Sequence, residues 1–110
     1  MRVLGCIADL MFSTKLRDAA RHLGHECEIV RRAQDVPGRL GGTDLVVVDL
    51  MIASGGALEA VEAAREAGVV TVAYGEHIQA EVLQAARDAG ADQVLTRFEF
   101  TRQLPALLGA

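Results

Sequence analysis

The chain has 110 residues, two cysteines and a formal net charge of -4, long enough for one domain, residues 1–110, to bury its own core without a metal or disulfide staple. Arg31-Arg32 is the only basic pair, so no surface dense enough to follow a phosphate backbone is expected and nucleic acid is excluded as a direct partner. No apolar run approaches the roughly 20 residues that cross a bilayer, and the seven residues before Asp9 that remain mostly apolar are too short for a signal core, which predicts a cytoplasmic protein with no membrane partner.

Residues 2–8 read as a first strand, with Asp9 where the chain should leave the sheet. Ser13 is a plausible N-cap for a helix whose Leu16, Ala19, Ala20 and Leu23 recur at helical spacing, closed by Gly24. Residues 26–31 form a second strand. Residues 33–42 place Val36 and Leu40 four apart, but Pro37, Gly38 and Gly41-Gly42 limit any helix to about two turns.

The run Leu45-Val46-Val47-Val48-Asp49-Leu50-Met51 is β-branched and short, the pattern of a strand buried on both faces. Asp49 ends it. A glycine loop, Ser54-Gly55-Gly56, leads to a helix with Ala57, Ala60, Val61 and Ala64 on one face and Gly68 at its end. Residues 69–74 make a fourth strand, and Gly75-Glu76-His77 turns the chain into a helix marked by Val82, Ala85, Ala86 and Ala89. Val94 and Leu95 centre a fifth strand. Thr101 can cap a last helix carrying Leu104, Leu107 and Leu108, with Pro105 in its first turn.

Five strand-helix pairs in alternation predict an α/β fold: a flavodoxin-like three-layer sandwich with a five-stranded parallel sheet in the order 2-1-3-4-5 and helices on both faces. That order sets the ends of strands one and three side by side, so Asp9 and Asp49 should meet at the edge where ligands gather in open α/β sheets. His22, His25 and Cys27 have no recognised zinc spacing. Gly55-Gly56 matches neither phosphate-loop pattern. Cys6 and Cys27 read as buried thiols.

Along its whole length, the chain resembles the receiver domains of bacterial two-component signalling. The likeness is carried by the acid after strand one, by Asp49-Leu50-Met51 with its glycine loop, and by Ala89-Gly90-Ala91-Asp92 before strand five. Asp9-Leu10-Met11-Phe12-Ser13-Thr14-Lys15 and Phe100-Thr101-Arg102-Gln103-Leu104-Pro105 also resemble a group of small stand-alone receiver-like proteins. The resemblance implies that Asp49 accepts a phosphoryl group from a phosphohistidine, with Mg2+ held by Asp9, Asp49 and the Met51 carbonyl. Its implied partners are a histidine kinase or phosphotransfer protein and a downstream protein. A homodimer would use the face built from the last two helices and strand five, where Phe98 and Phe100 lie. No enzymatic activity of its own is expected.

Several positions depart from the family pattern. Ala8 stands where a second acid is usual, weakening Mg2+ binding, and Gly75 replaces the hydroxyl residue after strand four. Val94 replaces the switch aromatic, and Arg97-Phe98 the usual Lys-Pro pair. His77 lies close to the same edge and is read either as a hydrogen-bond donor to a phosphate or as the cap or first turn of the following helix. Arg97 has a planar fork suited to a carboxylate. The alternative reading is therefore a pseudo-receiver that is not phosphorylated, with Arg97 gripping Asp49.

Overall fold

The apolar runs form the strands β1 (Arg2–Cys6), β2 (Glu26–Val30), β3 (Leu45–Asp49), β4 (Val70–Gly75) and β5 (Gln93–Thr96) in a computed structural model that describes residues 1–109. All neighbours pair in parallel, in the expected order β2-β1-β3-β4-β5. β3 is central and buried at every position. The side chains of Val46 and Val48 meet one apolar layer, and those of Leu45 and Val47 meet the other, so alternate residues serve opposite faces.

Four α-helices cover the sheet: α1 (Leu10–His22), α2 (Ala57–Glu66), α3 (Ala80–Asp88) and α4 (Arg97–Leu107). Leu16 and Ala20 of α1 pack with Phe100, Leu104 and Leu108 of the α4 region on one face; Val61 and Ala64 of α2 pack with Leu83 and Ala86 of α3 on the other. Gly5 lets α1 approach β1 closely. A Cβ at that position would come within 2.7 Å of Leu16 Cδ2 and 2.8 Å of Ile29 Cδ1.

Three local expectations are corrected. Residues 33–42 form no α-helix but two single 3-10 turns, Ala33–Asp35 and Pro37–Arg39, because Pro37 and the glycines oppose helix propagation. Ala33 and Val36 still bury their side chains, and the Ala33 amide donates to Ser54 Oγ at 3.1 Å.

Asp9, not Ser13, caps α1: its Oδ1 accepts from the Phe12 amide at 3.0 Å. Ser13 lies buried inside the helix, donating to the Leu10 carbonyl. α4 begins four residues before the expected Thr101 cap, on a capping box in which Thr96 Oγ1 accepts from the Glu99 amide and Glu99 Oε1 accepts from the Thr96 amide. Pro105 therefore sits near the C-terminal end of α4, not in its first turn. There it removes only the amide that would have served the Thr101 carbonyl.

Asp92 closes the sheet's far end. Its Oδ2 accepts from the Thr71 amide at 2.8 Å while its own amide donates to the Thr71 carbonyl at 2.9 Å, which fixes the lead into β5 against the start of β4. No described helix is long and apolar enough to cross a membrane.

Candidate functional site

Asp49 is the last residue of β3, at the carboxyl edge of the sheet, and is only 3% exposed. Its Oδ1 accepts from the Met51 amide at 2.8 Å. The strand ends here because the chain turns at once: Leu50 donates to the Tyr74 carbonyl at 2.9 Å, and Ile52 donates back to the Asp49 carbonyl at 3.1 Å. Burial pushes the Asp49 carboxyl above its ordinary range. The Met51 amide and then Arg97 oppose that rise, the Asp9 carboxylate adds to it, and the Tyr74 hydroxyl opposes it.

Asp9 follows β1, the strand beside β3, so both acids lie at the carboxyl ends of neighbouring strands, and the Asp9 charge adds to the rise at Asp49. One oxygen of each is committed to a backbone amide, Phe12 for Asp9 and Met51 for Asp49. Both carboxylates are consequently oriented by the start of the element that follows them. Met51 is an exposed residue of that turn. Among the described residues no cluster of three or more His, Cys, Asp or Glu side chains is suited to a metal, so any cation here would rely on two carboxylates, backbone oxygen and water.

Arg97 opens α4 one residue after its cap. Its Nε lies 3.1 Å from Glu76 Oε1 without the alignment of a hydrogen bond, and its guanidinium carbon is 4.9 Å from the centre of the Phe12 ring. The contacts of Arg97 are therefore an ion pair and an aromatic face. Its described hydrogen bonds do not include the two-bond grip on Asp49, although its charge favours the ionised carboxylate from a distance. His77 is exposed in the β4–α3 turn, with Glu76, Thr96, Arg97 and Phe98 around the adjoining hollow.

Beside Asp49 stands a group that the sequence reading did not single out. Tyr74 is the register partner of Asp49 across β3 and β4 and is fully buried. Its ring stacks on Phe100 at 4.5 Å and on Phe12 at 5.4 Å between centroids. The signals existed: Thr96 and Glu99 have the capping-box spacing, and Tyr74 is the only tyrosine. Gly75, the next residue, offers no side-chain donor, yet an added Cβ would meet only Leu83 Cδ2 at 3.4 Å and Leu50 Cβ at 3.6 Å as its nearest atoms. Its lack of a hydroxyl is not imposed by backbone crowding.

Of the other candidate ligands, His25 is occupied elsewhere. His25 bridges the Met1 amino group, 2.9 Å from Nδ1, and the Leu108 carbonyl, 2.7 Å from Nε2. Cys6 is buried and Cys27 half-buried, both as free thiols; burial foremost pushes the Cys6 thiol up to about 12.

No family model matches the chain, and no curated protein does. Solved structures do. An orphan response regulator of H. pylori superposes with a TM-score of 0.78 at 20% identity, over 98% of this chain and 90% of that one. A CheY-like receiver domain protein from Methanospirillum hungatei gives 0.80 at 17% identity, over 97% and 92%. A response regulator from Burkholderia pseudomallei, solved with a phosphorylated aspartic acid, a calcium ion and citrate, gives 0.83 at 14% identity, over 99% and 66%. The likeness, together with the strand order and an acidic residue closing β3, gives this chain the flavodoxin-like fold of response-regulator receiver domains.

Proposed function

We propose that the chain is a receiver-type signalling module in which Asp49 accepts a phosphoryl group from a phosphohistidine of a histidine kinase or phosphotransfer protein and passes the change to a downstream protein by surface contacts. The observation that carries this reading is that Asp49 and Asp9 end or follow neighbouring strands at one sheet edge, where burial first, and the Asp9 charge in addition, raise the Asp49 carboxyl. Each is steered by a backbone amide, and the nearby cation Arg97 is ion-paired to Glu76. Such an edge carries excess negative charge, which a divalent cation would relieve.

Magnesium suits this donor set. It prefers oxygen ligands, and it often binds through one or two carboxylates while keeping much of its water. Asp9, Asp49 and the Met51 carbonyl would hold it, and it would supply neutralising charge for the phosphoryl oxygens. Ala8 leaves the site one carboxylate short of the usual pair, so the affinity should be modest.

Asp49 acts as the nucleophile, and the Met51 amide fixes one oxygen while the other attacks phosphorus. The phosphorus–nitrogen bond of the donor breaks as the phosphorus–oxygen bond to Asp49 forms, and the electron pair leaves on the imidazole nitrogen. The protein's work is positioning and charge stabilisation rather than acid–base chemistry.

The pseudo-receiver reading is favoured by one specific observation, the near-complete burial of Asp49, which restricts entry of a phosphoryl donor. Incubation with Mg2+ and a small acyl phosphate, followed by intact-mass measurement, separates the two. One added phosphoryl group that vanishes in Asp49→Asn supports the phosphoacceptor. An unchanged mass supports the pseudo-receiver.

A further inference from the structure

We propose that the Tyr74 hydroxyl, sealed beside Asp49 at the end of β4, is the hydrogen-bond donor that positions the phosphoryl group on Asp49, replacing the side-chain hydroxyl that residue 75 lacks. The inference rests on Asp49 being the phosphoacceptor, and Tyr74 is a positioning residue for that reaction.

Tyr74 and Asp49 are direct register partners on adjacent parallel strands. Tyr74 packs in the apolar layer that also contains Leu45 and Val47, and strand alternation puts Asp49 on the same face. The ring is held by stacking against Phe12 and Phe100, with interplanar angles of 24° and 19°. A phenylalanine would fill that stack equally well. The hydroxyl, however, is buried and has no partner in hydrogen-bonding geometry among the described residues. A buried donor left unpaired is costly, and one retained next to the candidate phosphoacceptor has a use when a ligand oxygen arrives.

As an O–H group the phenol can donate to an anionic oxygen. The hydroxyl also acts on Asp49 in the sense that favours the carboxylate. Asp49 is thus the acceptor the hydroxyl acts on, whether as the free carboxylate or carrying a phosphoryl oxygen. At residue 75 glycine supplies nothing comparable, though the surrounding space admits a Cβ.

The test uses a small acyl phosphate as the phosphoryl donor with Mg2+. As the phosphorus–oxygen bond to Asp49 forms, the phosphorus–oxygen bond to the acyl group breaks and its electron pair leaves on the carboxylate product. Wild type, Tyr74→Phe and Phe100→Leu, which loosens the ring stack but keeps the hydroxyl, are compared for the rate of phosphoryl gain and the lifetime of the phosphorylated form. Circular dichroism and urea unfolding establish that each is folded. The expected result is at least a tenfold slower gain in Tyr74→Phe and a rate close to wild type in Phe100→Leu.

A second readout needs no variant of Tyr74. It is the only tyrosine and there is no tryptophan, so the near-ultraviolet emission comes from this ring. Beryllium trifluoride with Mg2+, a phosphoryl mimic, should change that emission in wild type and not in Asp49→Asn. Equal rates and lifetimes in wild type and Tyr74→Phe would overturn the Tyr74 assignment alone. Slowing in folded Phe100→Leu as large as in Tyr74→Phe would assign the effect to packing and overturn the donor role. A wild type that gains no phosphoryl group would overturn the phosphoacceptor reading and this inference together.

Discussion

Asp9 is asked to do two jobs, and they can be separated by two substitutions. As the N-cap of α1 it accepts from the Phe12 amide at 3.0 Å; as an acid beside Asp49 it would hold a divalent cation. Asp9→Ala removes both the cap and the charge. Losing an N-cap costs about 1 kcal/mol, which for a domain of this size is a fall of roughly 4 °C in Tm.

Asp9→Asn removes the charge but keeps a cap of nearly equal quality. Losing a negative charge at the helix start costs about 0.3–1 kcal/mol, offset by relief of the Asp9–Asp49 repulsion, so Asp9→Asn should remain close to wild type. Urea unfolding in metal-free buffer should therefore rank Asp9→Asn near wild type and Asp9→Ala below both, at an unchanged denaturant slope. Mg2+ titration followed by tyrosine emission should instead show both variants weakened alike. An Asp9→Asn protein as unstable as Asp9→Ala would refute the capping role. One that binds Mg2+ as tightly as wild type would refute the cation role.

Because burial raises Asp49 above its ordinary value of 3.8, its charge opposes folding; its favourable contribution is complete below that value and is lost as pH rises through the raised one. Asp49→Asn should hence be more stable than wild type in metal-free buffer at neutral pH, a gap that closes on acidification towards 3.8, and urea midpoints across pH would expose the opposite trend. Arg97→Ala loses an ion pair whose side chains are 32% and 43% exposed and a contact with the Phe12 ring, for a total of about 1 kcal/mol; a loss several times larger by urea unfolding would mean Arg97 does more than these contacts. Phe100→Ala should cost about 3–5 kcal/mol, since Phe100 is fully buried at the end of the three-ring stack, with the loss read by calorimetry. Gly5→Ala should cost about 1–3 kcal/mol by overpacking against Leu16 and Ile29, and a neutral result would show that α1 retreats freely.

The sheet was legible because its cause is local and repeated. Short β-branched runs alternating with small-residue helical stripes leave few arrangements for a parallel sheet, and the 2-1-3-4-5 order then brings the ends of β1 and β3 together. What sequence missed were competitions between neighbouring signals. Asp9 and Ser13 are both good caps, and Asp9 won because the helix could begin as soon as β1 ended. Thr101 looked like a cap, but Thr96 and Glu99 satisfy each other's backbone amides one turn earlier.

Arg97 meets Glu76 and Phe12. Position along a strand could not predict it, because Glu76 lies in another loop. Tyr74 escaped notice for a related reason. Its chemistry depends on a cross-strand partner and on two rings from α1 and α4, a conjunction visible only once the layers are assembled.

The measurement that tests the account most directly is the intact mass of the protein after incubation with Mg2+ and a small acyl phosphate, with Asp49→Asn treated in parallel. The account predicts a gain of one phosphoryl group in wild type, dependent on Mg2+ and absent from the variant. An unchanged wild-type mass, or the same gain in Asp49→Asn, would contradict it.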